Sequence, residues 1–191
     1  VTIGSGSTAV SLTSTGLNNG GNKITNVAAG TADTDAVNKG QMTNAIDESM
    51  KYFKANSMGT EAFVAGSDAM AVGSGAVSGG SEAVALGLNT AADGDQSLAL
   101  GVNAGTSSGT TGAIAVGNTA KASQDGAVAI GQKSGANGKR STVVGDSAQA
   151  VGDQALALGA DASASGTNGT ALGTSASTAG SSATAVGSHA S

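Results

Sequence analysis

The chain has 191 residues, of which 32 are glycine, 2% are aromatic and none is cysteine or proline. This composition excludes a core of large side chains, a disulfide framework and thiol chemistry. The net charge is −5 and the pI is about 4.5, so we expect no nucleic-acid partner. No run approaches the roughly 18 apolar residues of a membrane span.

Residues 1–15 alternate weakly between apolar and polar side chains. This alternation predicts short strands, interpreted as the end of a preceding β unit. Because the sequence begins at Val1 without Met, we expect a piece of a longer protein. Residues 16–42 form a second segment, and residues 43–58 are predicted to be a short helix with a link.

Apolar residues at spacings of three to five predict a helix from about Asp35 to Tyr52. Asp33 or Thr34 is the expected N-cap. A lone helix of this length is marginal in water, so a short parallel coiled coil between copies of the chain is expected.

From residue 59 onward one pentapeptide recurs, as in Ala127-Val-Ala-Ile-Gly131. Its glycines are 14 residues apart at every step except Gly101 to Gly117, which spans 16. A second glycine usually follows seven residues later, which indicates two turns per repeat. A constant short period predicts an all-β parallel β-roll, a solenoid with 14-residue coils, over residues 59–191. The predicted turn glycines are Gly59, Gly73, Gly87, Gly101, Gly117, Gly131, Gly145, Gly159, Gly173 and Gly187.

Small and bulky residues alternate within each pentapeptide, so they lie on opposite faces of the strand. Small residues also recur three and five positions after each glycine, and both small sets can meet in a thin interior. The bulky residues then form two apolar stripes, which a monomer rarely exposes. We therefore predict a homo-oligomer whose axis is filled by Val84, Leu86, Leu98, Leu100, Ile114, Val116, Val128, Ile130, Val144, Leu156, Leu158, Leu172 and Val186. In the alternative, the bulky residues fill the roll and the alanines face water, at a loss of roughly 25 cal/mol per Å² of apolar burial.

The sequence offers no catalytic set, since its one histidine is His189 near the end of the sequence. We expect no enzyme activity, no cofactor and no metal site. Asp93 and Asp95 flank Gly94 and could suggest a cation site, but a solvated turn is the favoured interpretation. No Gly-Lys-Ser/Thr motif follows a strand, so the glycines are not a phosphate-binding loop.

Polar residues alternate with the small ones in the second strand of each coil and should face water. Asp93, Lys121, Asn137, Gln149, Ser163 and Ser177 are expected at equivalent positions. A basic cluster that could meet an acidic ligand is also predicted, although an ordinary charged surface remains the favoured interpretation. The candidate ligand face comprises Lys121, Lys133, Asn137, Lys139, Arg140, Gln149 and Ser163. The two extra residues before Gly117 are expected to bulge outward between Thr106 and Thr111.

The combination of these motifs resembles the trimeric autotransporter adhesins. The segments Lys23-Ile-Thr-Asn-Val27, Asp35-Ala-Val-Asn38 and Gln41-Met42 are similar to the neck of that family. The pentapeptides resemble the YadA-like head repeat, with Val143 as a departure from its usual Ala. By this resemblance the neck residues are Lys23, Ile24, Asn26, Val27, Asp35, Val37, Asn38 and Gln41.

The resemblance implies a left-handed roll, a homotrimer clasped by the neck, and display on the outer surface of a Gram-negative bacterium. It also implies adhesion to a host matrix protein, such as collagen, fibronectin or laminin, or to a cell-surface receptor. The membrane would be reached only through a C-terminal anchor, which this sequence does not include. A rigid spacer within the fibre is the alternative function. Ice-binding and polysaccharide-cleaving solenoids are disfavoured, because outward threonines are sporadic and no groove of clustered Asp, Arg and Lys is evident.

Overall fold

The computed structural model describes residues 2–4, 6, 9–49 and 59–191, in two units, Val1–Lys54 and Ala55–Ser191. The first unit opens with an antiparallel sheet of β1 (Thr2–Ile3), β2 (Val10–Thr13) and β3 (Gly16–Asn18). Strands β1 and β2 lie where the weak alternation predicts them. Strand β3 falls within residues 16–42, so the division at residue 15 stays a prediction.

Helix α1 spans Lys39–Ser49 and begins four residues later than predicted. The carboxylate of Asp35 accepts hydrogen bonds from the backbone N–H groups of Thr31 and Ala32, at 2.8 and 2.9 Å, and so closes a turn before the helix. The N-cap is Asn38, whose Oδ1 accepts the N–H of Gln41 at 3.0 Å, and the prediction of Asp33 or Thr34 is wrong. The predicted end of the helix, near Tyr52, lies outside the described residues.

Two nine-stranded parallel sheets form the second unit and confirm the β-roll with 14-residue coils. The aliphatic sheet, built from the pentapeptides, consists of β5 (Met70–Val72), β7 (Val84–Leu86), β9 (Leu98–Leu100), β11 (Ile114–Val116), β13 (Val128–Ile130), β15 (Thr142–Val144), β17 (Leu156–Leu158), β19 (Thr170–Leu172) and β21 (Thr184–Val186). The polar sheet consists of β4 (Phe63–Val64), β6 (Val77–Ser78), β8 (Ala91–Ala92), β10 (Gly105–Thr106), β12 (Lys121–Ala122), β14 (Gly135–Ala136), β16 (Gln149–Ala150), β18 (Ser163–Ala164) and β20 (Ser177–Thr178). The chain alternates between the sheets, so two rows of turns form opposite edges of the roll.

The interior of the roll is a thin layer of small side chains contributed by both sheets. Among the described residues, every buried apolar side chain is alanine except Val143, which is fully buried. The alternative with alanines facing water is therefore wrong. A larger inward side chain is matched by a smaller one beside it. Gly169 stands where other coils carry Ala or Ser, and a Cβ there would lie 2.9 Å from Oγ1 of the buried Thr178. So small a core buries little apolar area, and the roll gains much of its order from backbone hydrogen bonding between coils.

The two rows of glycines differ in backbone conformation but share one packing role. The pentapeptide glycines adopt positive φ, as in Gly131 with φ 134°. Both rows allow close stacking of the coils, since a Cβ would lie 2.2 Å from the carbonyl oxygen of Gly145 if placed on Gly131, and 2.1 Å from that of Gly166 if placed on Gly152. Each turn also contains a left-handed residue that is usually not glycine, such as Lys133 and Arg140, both with φ 55°.

The long coil accommodates its extra residues in the turn after β10. Ser107, Ser108 and Gly109 are exposed, whereas Thr106 and Thr110 are buried. Oγ1 of Thr110 donates to the carbonyl oxygen of Ser107 at 2.7 Å, closing the loop. The outward bulge is therefore narrower than the predicted range, and the pairing of β9 with β11 continues in register across it.

Candidate interaction surfaces

The first and third residues of each aliphatic strand point away from the alanine interior. Val128 pairs with Ile114 on one side and Thr142 on the other, and Ile130 pairs with Val116 and Val144 in the next row. The strand register therefore creates the two predicted stripes, although threonines at 142, 170 and 184 interrupt the first. In the second stripe, Leu86 is 40% exposed and Leu172 is 42% exposed in the single chain.

The apolar surface extends further than the sequence analysis proposed. Met70 and Val72 begin the two stripes, because they pair with Val84 and Leu86. The pentapeptide pattern at 69–73 could have identified both. Leu88 and Val102, 47% and 37% exposed, follow pentapeptide glycines and lie at one edge of the roll.

The predicted neck residues are joined by side-chain hydrogen bonds to backbone groups. Nδ2 of Asn38 donates to the carbonyl oxygen of Val27 at 3.1 Å. The side-chain amide of Gln41 makes two hydrogen bonds with the backbone of Gly30, each 2.8 Å long. Hydrogen bonds from two backbone N–H groups lower the pKa of Asp35, and that from Ala32 contributes more than that from Thr31.

Apolar neck and helix side chains remain open in the single chain. Ile24 and Val37 are each 67% exposed, and Met42 and Ile46 lie one helical turn apart with more than half of each side chain exposed. Lys23 and Asn26 are also exposed, and Asn26 adopts a left-handed conformation with φ 59°. The neck is thus internally bonded while presenting apolar groups that the unit itself does not cover.

The candidate ligand face divides into rows. Lys121, Gln149, Ser163 and Ser177 share one row of the polar sheet. Asn137 lies one residue beyond β14, two positions along the chain from the row residue Gly135. Asp93 likewise lies two positions beyond the row residue Ala91, so the expectation that Asp93 and Asn137 are equivalent to Lys121 is wrong.

The basic residues do not form the single cluster that was predicted. Lys133 lies in the turn after β13, whereas Lys139 and Arg140 lie in the turn after β14, at the opposite edge. Lys121 stands on the outward face of the polar sheet between those edges. The four cations are therefore distributed around the part of the roll that the aliphatic sheet does not occupy.

Three aspartates form hydrogen bonds between successive coils at the edge of the roll that contains Arg140. The Oδ1 atoms of Asp95, Asp125 and Asp153 accept backbone N–H groups of the preceding coil at 2.9 to 3.0 Å. Asp95 thus belongs to a structural turn, as the sequence analysis favoured over a cation site. In the described part of the chain, no group of three or more His, Cys, Asp or Glu residues is placed to hold a metal ion.

Comparison with protein-family models matches both units. Residues 23–62 match the coiled stalk of trimeric autotransporter adhesins. The YadA head domain repeat matches at 78–104, 111–134, 136–162 and 164–190. The chain belongs to the trimeric autotransporter adhesins.

Membership has three consequences for this adhesin chain. The family implies a homotrimer, is in general not enzymatic, and is exposed at the surface of the outer membrane. No curated protein matches the chain. Within residues 2–4, 6, 9–49 and 59–191, no helix has the length and apolar character to cross a bilayer.

Proposed function

We propose that this part of the adhesin is a trimeric head on the bacterial surface that binds host extracellular matrix or host cells through many weak contacts. The aliphatic sheet would face the three-fold axis, the polar sheet would face outward, and the two rows of turns would lie at the seams between protomers. Collagen, fibronectin, laminin or a cell-surface receptor is the expected partner. The observation that carries the proposal is that the outward surface repeats in register along nine strands.

Burial supports this orientation of the protomer. The two stripes place one or two aliphatic side chains on every strand of the aliphatic sheet, with roughly 40% of several side chains still exposed to solvent. Covering them in a trimer contributes roughly 25 cal/mol per Å², which compensates for the small core of each roll. The neck and helix would be covered in the same assembly through Ile24, Val37, Met42 and Ile46.

The outward surface suits a repetitive ligand better than a small molecule. Gln149, Ser163 and Ser177 are Cα partners on successive strands, so polar groups recur in register over the last three strands of the polar sheet. With strands roughly 4.8 Å apart, nine coils present a surface about 40 Å long on each protomer. A matrix fibril can contact many coils at once, and the effective concentration then multiplies weak individual contacts.

A rigid spacer is the second candidate, because the backbone hydrogen bonding that stacks the coils also produces a stiff rod. The two functions are distinguished by deleting residues 146–159, or the three coils 146–187, in the trimeric protein. The adhesive function predicts a stepwise loss of binding to immobilised matrix proteins and to cells while the trimer persists. The control Ser163→Ala changes one contact and should alter binding less than two-fold. If the three-coil deletion leaves binding unchanged on every surface tested, the spacer function is correct.

A further inference from the structure

The charges of the roll are segregated along its length. Residues 59–117 contain five acidic residues and no basic residue, and residues 146–191 contain three acidic residues and no Lys or Arg. All four basic residues of the roll lie between 121 and 140, where Asp125 is the sole acidic residue. A roll that is acidic on both sides therefore has one basic section near its middle.

These cations have no structural role within the roll. In the described ranges, the side chains of Lys121, Lys133, Lys139 and Arg140 form no hydrogen bond or ion pair, and all four residues are exposed. The nearby aspartates differ, because Asp125 and Asp153 each bond a backbone N–H of the adjacent coil. The fold thus accounts for these two acidic side chains but leaves the four basic ones without an internal partner.

The trimer would bring the cations into one collar. If the aliphatic sheet faces the axis, the two edges of each roll face neighbouring protomers. At each seam, Lys133 of one protomer would then lie near Lys139 and Arg140 of its neighbour. Lys121 would lie on the outer face, between two seams. Because the three protomers are equivalent, the collar carries twelve basic side chains, beside three copies each of Asp125 and Asp153.

We infer that this collar is a binding site for a sulfated polysaccharide chain. This choice of ligand rests on the proposed adhesive function, because sulfated polysaccharides occur in the extracellular matrix and on cell surfaces. A linear polyanion can follow a ring of separated cations around a rod, and the Arg140 guanidinium can bind a sulfate with two parallel hydrogen bonds. A flat membrane fits less well, because acidic coils flank the collar on both sides.

Other coils of the roll carry uncharged residues at the positions of the four cations, and these residues can be used as substitutions in a test. Gln149 shares the row of Lys121, Gln154 is equivalent to Arg140, and Asn89 and Thr111 stand at the turn positions of Lys133 and Lys139. The quadruple variant Lys121→Gln, Lys133→Asn, Lys139→Thr and Arg140→Gln therefore removes the collar with residues that these positions already accept. The matched control changes net charge equally by placing Glu at exposed Ser165, Thr174, Ser181 and Ser188.

The experiment measures binding of the trimeric chain to immobilised heparin, with partially desulfated heparin, hyaluronan, duplex DNA and anionic phospholipid vesicles as competitors. We expect the quadruple variant to lose at least ten-fold in affinity, the Glu control to lose less than three-fold, and binding to weaken with added salt. Desulfated heparin and hyaluronan should compete poorly. Absence of heparin binding by the wild type, equal losses in both variants, or equally effective competition by DNA or vesicles would each overturn the inference. Failure here leaves the proposed function standing if the wild type still binds matrix proteins and coil deletion weakens that binding.

Discussion

The two nine-stranded sheets of the roll share a backbone plan but differ in what they present outward. Both pair strands in parallel at one strand per coil, and both contribute alanines to the same interior. The aliphatic sheet places mostly Leu, Val and Ile in its outward rows. The outward row of the polar sheet carries Lys, Gln and Ser only from Lys121 onward, and Phe, Val, Ala and Gly before it. The inward rows form the shared interior of the roll, whereas the outward rows are the surfaces that we propose for assembly and for recognition.

The largest expected effect comes from a charge on the outward row of the aliphatic sheet. Leu158→Asp would place three carboxylates near the axis of the trimer, at a cost of several kcal/mol each, because they would lack partners. Light scattering on the purified chain should show loss of the trimer. The matched control is Ser163→Asp, which puts the same charge on the outward row of the polar sheet and should leave the trimer intact. Loss of assembly in both variants, or in neither, would remove the functional difference between the sheets.

Inward substitutions should affect the two sheets equally. Ala157→Leu and Ala150→Leu each insert a larger side chain into the filled interior, from opposite sides, and should destabilise the roll by about 1–3 kcal/mol or more. Thermal melting should show comparable decreases for both. Gln149→Leu adds an outward leucine beside Ala150 and serves as the control, with little change in melting temperature. A decrease confined to one sheet would show that the interior is not shared evenly.

The neck contrasts with both sheets because side-chain hydrogen bonds stabilise it. The pKa of Asp35 is lowered by the N–H groups of Ala32 and Thr31, so its ionised form stabilises the folded turn. That contribution is present above the ordinary pKa of about 3.8 and is lost as the pH falls below it, through the lower folded value. Hydrogen-exchange protection of Thr31 and Ala32, corrected for intrinsic rates, should therefore decrease below about pH 4. Asp35→Asn should reduce this protection and its pH dependence, whereas the control Asp33→Asn should retain both.

The smallest effect is expected where the regular stacking is interrupted. Ser108 and Gly109 are exposed in the bulge, so deleting both should shorten a surface loop and change the melting temperature by no more than a degree or two. Deleting Ala136 and Asn137 from a regular coil is the control and should be strongly destabilising, since Ala136 is fully buried. Equal losses would mean that the bulge is part of the packed roll.

The roll was predictable because its period is visible in every repeat. Alternation places Ala129 and Ile130 on opposite faces, and the burial of apolar area in an oligomer favoured Ala129 as the inward one. Features that depend on three-dimensional neighbours were not predictable. The helix start was misplaced because Asp35 bonds backward to Thr31, a contact that spacing does not reveal. The basic residues looked like a cluster because nearness in sequence hides the turn that sends Lys133 and Arg140 to opposite edges.

The proposed trimer depends on the aliphatic sheet facing the three-fold axis, and interchain crosslinking reports that orientation directly. The chain has no cysteine, so single-cysteine variants at Val128, Ile130 and Lys121 each introduce one reactive thiol per protomer. With a short bismaleimide, Val128→Cys or Ile130→Cys should give a covalent dimer within the trimer, and Lys121→Cys on the polar sheet should remain uncrosslinked. A dimer from Lys121→Cys, with none from either aliphatic position, would contradict the account.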